Sequence, residues 1–311
     1  NGGDFSDVQG ITYRNEQAEV VQTKRRTFMD MSEAPMVRFN MLPKKFFSGR
    51  TINISPTRGC EFNCRFCAER IFWGNAQRKI SPERVAAEIE SILKNKYDYT
   101  FINLEDSMLD MRSPYFMELM GAISKVKRKR LGHFVTRVDS ITDDGLAAAK
   151  KAGVFAILYG VESGSEVVRD KVQKEVSIND VKKALARSKK AGIYNGTLWV
   201  VGLPGDTSEE ADRTYNLMET LYADELTDIA AISRLVPYPG TPIHARPDLY
   251  GVNILHRDYQ RWVRFTDDGC CELEDFNNDQ ISTAYNKIFT MARTMEFNQR
   301  KALKVTDIIR Y

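Results

Sequence analysis

Thr51-Ile-Asn-Ile54 runs directly into Ser55-Pro-Thr-Arg-Gly-Cys60-Glu-Phe-Asn-Cys64-Arg-Phe-Cys67. The first four residues alternate polar and apolar side chains, the period of a half-buried strand. The loop after them carries three cysteines in the spacing C-x3-C-x2-C. Three thiolates this close together can ligate three irons of a four-iron cube, which leaves the fourth iron open to a small molecule. Two plainer uses of three cysteines compete with this one. A structural zinc site wants paired C-x2-C knuckles with a further cysteine or histidine nearby, and the nearest histidine along the chain is His133. Cysteines packed as small hydrophobes fit poorly beside Arg58, Glu61, Asn63 and Arg65.

The cysteine spacing, with Phe66 just before the last cysteine, resembles the signature of the radical S-adenosylmethionine (SAM) enzymes. The resemblance implies that Cys60, Cys64 and Cys67 hold a [4Fe-4S] cluster with Phe66 beside the cofactor. It further implies that the open iron chelates the amino and carboxylate groups of SAM, and that one electron releases a 5'-deoxyadenosyl radical that abstracts hydrogen from an unactivated carbon.

Outward from this loop, strands alternate with helices, the order that builds a parallel sheet with helices outside. Strands are expected at residues 51–54, 99–104, 132–137, 154–159, 196–201 and 228–236. Helices are expected between them, one opened by Ser81-Pro82-Glu83 and others stopped by Gly153 and Gly192. Six such units make an α/β fold, a partial (β/α)6 TIM-like barrel, which is also the architecture the resemblance implies. Residues 1–50 read as a hairpin about Asn15-Glu16-Gln17 and a connector that Pro35 and Pro43 keep from forming a long helix. This segment is similar to the connector preceding the radical domain in the branch with an N-terminal cobalamin-binding domain, and equally fits a plain cover strand and linker. Residues 51–243 are the expected barrel. Residues 244–311 form a C-terminal segment expected to cover the substrate; it has no steady period before an amphipathic helix over 279–301.

In a strand-helix barrel the site gathers at the carboxyl ends of the strands. The second end offers Glu105 and Asp106, where the family often has a Gly-Gly-Glu-like segment for the methionine amino group. The glycines are missing here, so Glu105 is a candidate cofactor contact and both carboxylates are candidate catalytic groups. The third end offers Arg137, a candidate for the SAM carboxylate, and Asp139, a candidate catalytic residue facing the substrate; a mutual ion pair is the competing use of these two. Glu162 and Ser163 in Gly160-Val-Glu-Ser163 resemble the segment placed against ribose and carboxylate. Gly202, Leu203 and Pro204 resemble the segment whose backbone meets the adenine.

The balance of charge, +3 over 311 residues, argues against nucleic acid or a membrane surface as partner. No apolar run reaches the roughly 18 residues of a membrane span, no signal peptide opens the chain, and five cysteines suit a reducing compartment, so a cytoplasmic protein is expected. Cys270-Cys271 cannot complete a second cubane, and ordinary packing is their expected role. The acidic Glu105, Asp106 and Asp139 suit a polar, hydroxylated or aminated small-molecule substrate such as an aminosugar or antibiotic intermediate, and an external reductant such as flavodoxin, ferredoxin or a dedicated reductase is expected. The expected outcome is dehydration, deoxygenation, epimerisation or rearrangement. A cobalamin-dependent C-methyltransferase is the alternative, and cobalamin itself is left open because the chain shows no Asp-x-His-x-x-Gly signature. A non-catalytic iron-sulfur protein is the reading from another class.

Overall fold

A computed structural model of the chain describes residues 4–266 and 268–303. It contains two compact units, Asn1–Pro35 and Met36–Tyr311. In the first, β1 (Thr12–Arg14) and β2 (Val20–Gln22) pair antiparallel around the expected turn at Asn15-Glu16-Gln17. Sequence placed the start of the barrel at 51, and the second unit begins fifteen residues earlier, so the lead-in 36–50 belongs with it.

The second unit opens with β3 (Arg50–Ile54) and then β4 (Thr57–Arg58), followed by the cysteine loop, α1 (Glu69–Trp73) and β5 (Arg78–Lys79). Repeating strand-helix units follow: α2 (Pro82–Lys94), β6 (Tyr99–Leu104), α3 (Pro114–Lys125), β7 (Leu131–Thr136), α4 (Asp143–Ala152) and β8 (Val154–Glu162). Then come α5 (Glu166–Lys171), α6 (Ile178–Lys190), β9 (Tyr194–Val201), α7 (Ser208–Ala223) and β10 (Ile229–Arg234). The chain finishes with α8 (Pro242–Ala245), the antiparallel pair β11 (Val252–Ile254) and β12 (Cys271–Leu273), and α9 (Asn278–Leu303). The expectation for 244–311 is answered here only as far as residue 303, and residues 304–311 lie outside the described residues.

Six strands form one parallel sheet in the order β10-β9-β8-β7-β6-β3, an open partial barrel. Parallel pairing demands a crossover between each pair of strands, and the helices supply it. Their starts are written in the sequence: Ser81, Ser113, Thr142, Ser177 and Thr207 each accept a backbone N–H of the first turn, and Pro82 and Pro114 occupy the first helical position. Helix α2 buries Val85, Ile89 and Ile92, and α3 buries Phe116, Leu119, Met120 and Ile123. Strand β8 lies at the middle of the sheet and is buried along almost its whole length, as a strand covered on both faces must be.

The expected strands and helices are present with ends shifted by a few residues. Strand β8 runs to Glu162 rather than Tyr159, because Gly160-Val161-Glu162 continue it through a bulge against β9. The β4–β5 hairpin, α1, α5 and the β11–β12 pair were not foreseen. Each is two to six residues long, too short to show a period. No helix among the described residues is long and apolar enough to cross a membrane.

Candidate active site

The cysteine loop leaves the carboxyl side of β3 and is closed at its base by β4 and β5, which pair Thr57 with Lys79 and Arg58 with Arg78. Gly59 turns the chain with φ of 104°, and a Cβ there would stand 2.2 Å from the carbonyl oxygen of Ala76, so only glycine fits. Further along, the Arg65 N–H donates to the Val172 carbonyl, and Asn63 Nδ2 donates to Gln173 Oε1, which fastens the loop to the segment after α5.

The three thiols are half-buried. Burial pushes all three upward from the ordinary thiol range, Cys67 to about 12, and the neighbouring Cys64 and Cys60 add to the shift of Cys67. Lys174 and Arg137 act the other way on Cys60 and Cys64. A desolvated thiolate needs a cation, and a three-thiolate iron-sulfur cluster with net negative charge would find two here. All three thiols lie on one short loop of eight residues, the donor set that a three-cysteine cluster would use.

A cavity of about 390 Å³ opens beside the loop at the carboxyl ends of the strands. It gathers Phe66, Cys67, Glu105, Asp106 and Glu162 of the sequence candidates, together with Glu69 and Ser107. Glu162 has φ of 69°, a left-handed backbone that a side-chain-bearing residue adopts only under constraint, at the bulge that ends β8. One of its oxygens, Oε1, accepts from Lys174 Nζ at 3.0 Å, and both side chains are buried. Glu105 is part-exposed, with Oε1 3.3 Å from His133 Nε2. Asp106 is buried. Its Oδ1 accepts the Thr57 N–H at 2.8 Å. Ser107 donates to Glu69. Val135, Leu198, Val200, Ala231, Leu235 and Phe265 add apolar surface to the lining, alongside Ser233, Arg234, Tyr238 and Arg264.

The other candidates stand outside this cavity's lining, each with a physical reason. Arg137 and Asp139 form a two-point pair, Nε to Oδ1 at 2.9 Å and Nη2 to Oδ2 at 2.7 Å. Burial opposes both charges, yet the pairing wins, raising Arg137 and holding Asp139 below the usual carboxylate range. The mutual ion pair weighed in the sequence therefore forms, with Asp139 at the surface and Arg137 only 6% exposed, its guanidinium stacked 3.9 Å from the ring centre of Phe62 in the cysteine loop. Ser163 is spent on the Ser165 N–H and Thr214 Oγ1. The Gly202 N–H, expected to be open for adenine, donates to Asp206 Oδ2 at 2.9 Å, and Leu203 is fully buried. Pro204 lines a second cavity of about 450 Å³, with Asp206, Tyr250 and Glu274.

Sequence reasoning missed Lys174, Glu69, Ser107 and Arg234. Arg234 had a signal, as the lone charge inside the apolar run of β10. It is 3% exposed, lines the cavity and donates to Ser282 Oγ and Asn278 Oδ1 of α9. Lys174 had none, because its partner lies twelve positions away along non-repeating chain. Cys270 and Cys271 are buried, and Cys271 Sγ donates to the Leu235 carbonyl at 3.5 Å, consistent with packing.

Residues 54–218 match the radical SAM superfamily. The chain is 23% identical over its full length to an uncharacterised methyltransferase of Pyrococcus horikoshii, covering 65% of that protein. Over 58% of its length it is 30% identical to the anaerobic magnesium-protoporphyrin IX monomethyl ester cyclase of Rubrivivax gelatinosus, covering 32% of the cyclase. Among solved structures, the cobalamin-dependent SAM radical enzyme OxsB superposes with a TM-score of 0.69 at 17% identity, over 96% of this chain and 52% of that one. The chain thus spans between a third and two thirds of the length of these relatives.

Proposed function

The chain belongs to the radical SAM superfamily, and from that premise we propose that it is the radical-generating part of a methyl-transferring enzyme of the cobalamin-associated type. The cofactors of a radical SAM enzyme are a [4Fe-4S] cluster and SAM, which when bound and reduced supply a 5'-deoxyadenosyl radical. Cys60, Cys64 and Cys67 would hold the cluster. The observation that carries this is their placement: three thiols on one loop, compensated by Lys174 and Arg137, with Cys67 opening into a cavity that also holds Glu105, Asp106 and Glu162.

The chain's own residues then have separable tasks. Arg137, fixed by Asp139 and stacked on Phe62, sets the loop's position and places a positive charge beside two of the thiols. Lys174 holds Glu162 by one oxygen, which leaves Oε2 for a ligand hydroxyl or ammonium. The apolar side chains in the lining suit an apolar portion of a small-molecule substrate. Residues 51–243 would carry the radical chemistry and 244–311 would cover the substrate, with an external reductant supplying the electron.

Methyl transfer is preferred to the dehydration, deoxygenation or epimerisation expected from sequence, because the relative that aligns along the whole chain is named a methyltransferase. Cobalamin enters the proposal through fold likeness to OxsB. A purely iron-sulfur-binding role leaves the cavity beside Cys67 without a use. Anaerobic reconstitution with iron and sulfide, then dithionite and SAM with and without methylcobalamin, tests this. The expected result is 5'-deoxyadenosine from the wild type and none from the Cys60→Ala, Cys64→Ala, Cys67→Ala variant. An intact cluster that yields no 5'-deoxyadenosine would remove the enzyme reading. Cob(I)alamin that gains no labelled methyl from SAM in the presence of the chain would return the reaction to the dehydrating class.

A further inference from the structure

Behind the cysteine loop, on the side away from the cavity, the β4–β5 hairpin and α1 gather positive charge. Arg58 stands opposite Arg78 across the hairpin, and like charges so placed repel. Burial and then the adjacent Arg58 both work against the charge on Arg78. The Arg58 guanidinium lies 4.8 Å from the ring centre of Trp73, and Arg78 Nη2 donates to the Trp73 carbonyl. Arg70 precedes Trp73 by one turn of α1. Among the described residues neither Arg58 nor Arg70 takes part in an ion pair. Glu69, the carboxylate on α1, is turned to the cavity instead. Among these cations stand two large apolar rings, Phe72 at 64% and Trp73 at 37% exposure. This face also backs onto the cluster ligands: the Cys60 N–H donates to the carbonyl of Gly74, the residue that ends α1.

We propose that this face docks the electron donor, an acidic flavin-bearing protein whose carboxylates meet Arg58, Arg70 and Arg78 and whose exposed flavin edge meets Phe72 and Trp73. The inference rests on the cluster assignment above. Electron transfer weakens steeply with distance, and a donor seated here is separated from Cys60 by one residue of α1 and one hydrogen bond. One electron leaves the anionic reduced flavin, which keeps its protons, and makes the group on Cys60, Cys64 and Cys67 more negative by one charge. No bond forms or breaks at the docking face. Basic residues around aromatic rings also suit single-stranded nucleic acid, which the test separates.

The test titrates oxidised flavodoxin into the reconstituted chain by calorimetry at about 50 and about 300 mM salt. The double variant Arg58→Glu, Arg70→Glu is compared with Lys127→Glu, Arg128→Glu, which makes the same change of net charge at the exposed turn after α3. Wild-type binding is expected to weaken with salt, the first variant to bind about tenfold more weakly, and the second within about threefold of the wild type. Dithionite, too small to need a docking face, is expected to yield 5'-deoxyadenosine equally from the wild type and the first variant, while reduced flavodoxin serves that variant about tenfold more slowly. If the charge reversal prevents folding, Arg58→Gln with Arg70→Gln is read in the same way. Equal weakening in the two double variants would make the attraction one of net charge and overturn the site. An oligothymidylate that binds more tightly than flavodoxin, and loses affinity in the first variant, would overturn the donor as occupant. Product with dithionite but no flavodoxin binding would overturn the docking face alone. No product from the wild type with dithionite would overturn the cluster reading, and this proposal with it.

Discussion

Lys174 and Glu162 are the pair whose loss the molecule should tolerate least. Both side chains are about nine-tenths buried and they meet at 3.0 Å. Lys174→Met strands a buried carboxylate, a change that typically costs about 3–5 kcal/mol. Adding Glu162→Gln removes the stranded charge, so the double variant should recover most of the loss; urea unfolding of both single variants and the double measures it, and additive losses would mean the pair is not coupled. Asp206 makes a second, pH-dependent test. Burial, only partly offset by the N–H groups of Gly202 and Thr207, lifts its carboxyl to about 7 against the ordinary 3.8. The folded state therefore binds this proton more tightly than the unfolded chain, and the group's contribution is full below about pH 4 and lost as pH rises through 7. The interval corresponds to at most roughly 4 kcal/mol. Asp206→Asn, neutral throughout, should be equal to or less stable than the wild type at pH 5 and more stable at pH 8; a difference that does not move with pH would place the native titration elsewhere.

Between elements, the β8–α5 turn approaches the backbone of α7 closely. A Cβ on Gly164 would stand 2.5 Å from both the Arg213 carbonyl oxygen and Thr214 Cα, and the Gly164 N–H donates to Thr214 Oγ1. Backbone cannot rotate away, so Gly164→Ala should cost about 1–3 kcal/mol or more and loosen α7. Gly121 in α3 meets nothing within 4 Å, and there the same change should stabilise by about 0.5–1 kcal/mol through helix propensity alone. Thermal unfolding of the two variants should shift in opposite directions. The contrast also marks what the sequence could say. Both residues read alike as glycines in or beside helices, because the backbone that meets Gly164 lies about fifty positions along the chain. Caps, crossover helices and the apolar β8 were legible, since each is written in consecutive residues: Ser81-Pro82 opens α2 and Val154–Tyr159 announces a covered strand. The cysteine loop was legible for the same reason. What escaped was pairing at a distance, Lys174 with Glu162 and Arg234 with α9. It also included the re-use of candidate groups, as when Ser163 turns to cap its own chain.

At the scale of the second compact unit, an open sheet has two exposed edges to manage, and α9 manages one of them by packing against β10, β9 and α7. It buries Ile281, Tyr285, Ile288, Ala292 and Met295 along one face, the stripe its sequence shows at helical spacing. It also reaches the cavity: Ser282 and Asn278 hold the Arg234 guanidinium, and the Asn278 N–H is tied to Glu272 of β12. Four large buried side chains at about 1.5–3 kcal/mol each amount to a sizeable part of the roughly 5–15 kcal/mol by which a domain is stable. A chain ending at Phe276 should therefore lose its cooperative urea transition and accumulate as aggregate through the uncovered β10 edge. Ile288→Ala, which leaves the helix in place, should cost only about 2–5 kcal/mol and keep a single transition at lower urea. Circular dichroism and tryptophan fluorescence read different parts of this unit, since Trp199 lies in β9 and Trp262 precedes β12. If the shortened chain unfolds cooperatively at the full-length midpoint by both probes, α9 is an accessory and the barrel closes its edge without it. If it loses the transition, the same helix that covers the sheet also fixes the arginine in the cavity, and fold and site depend on one element.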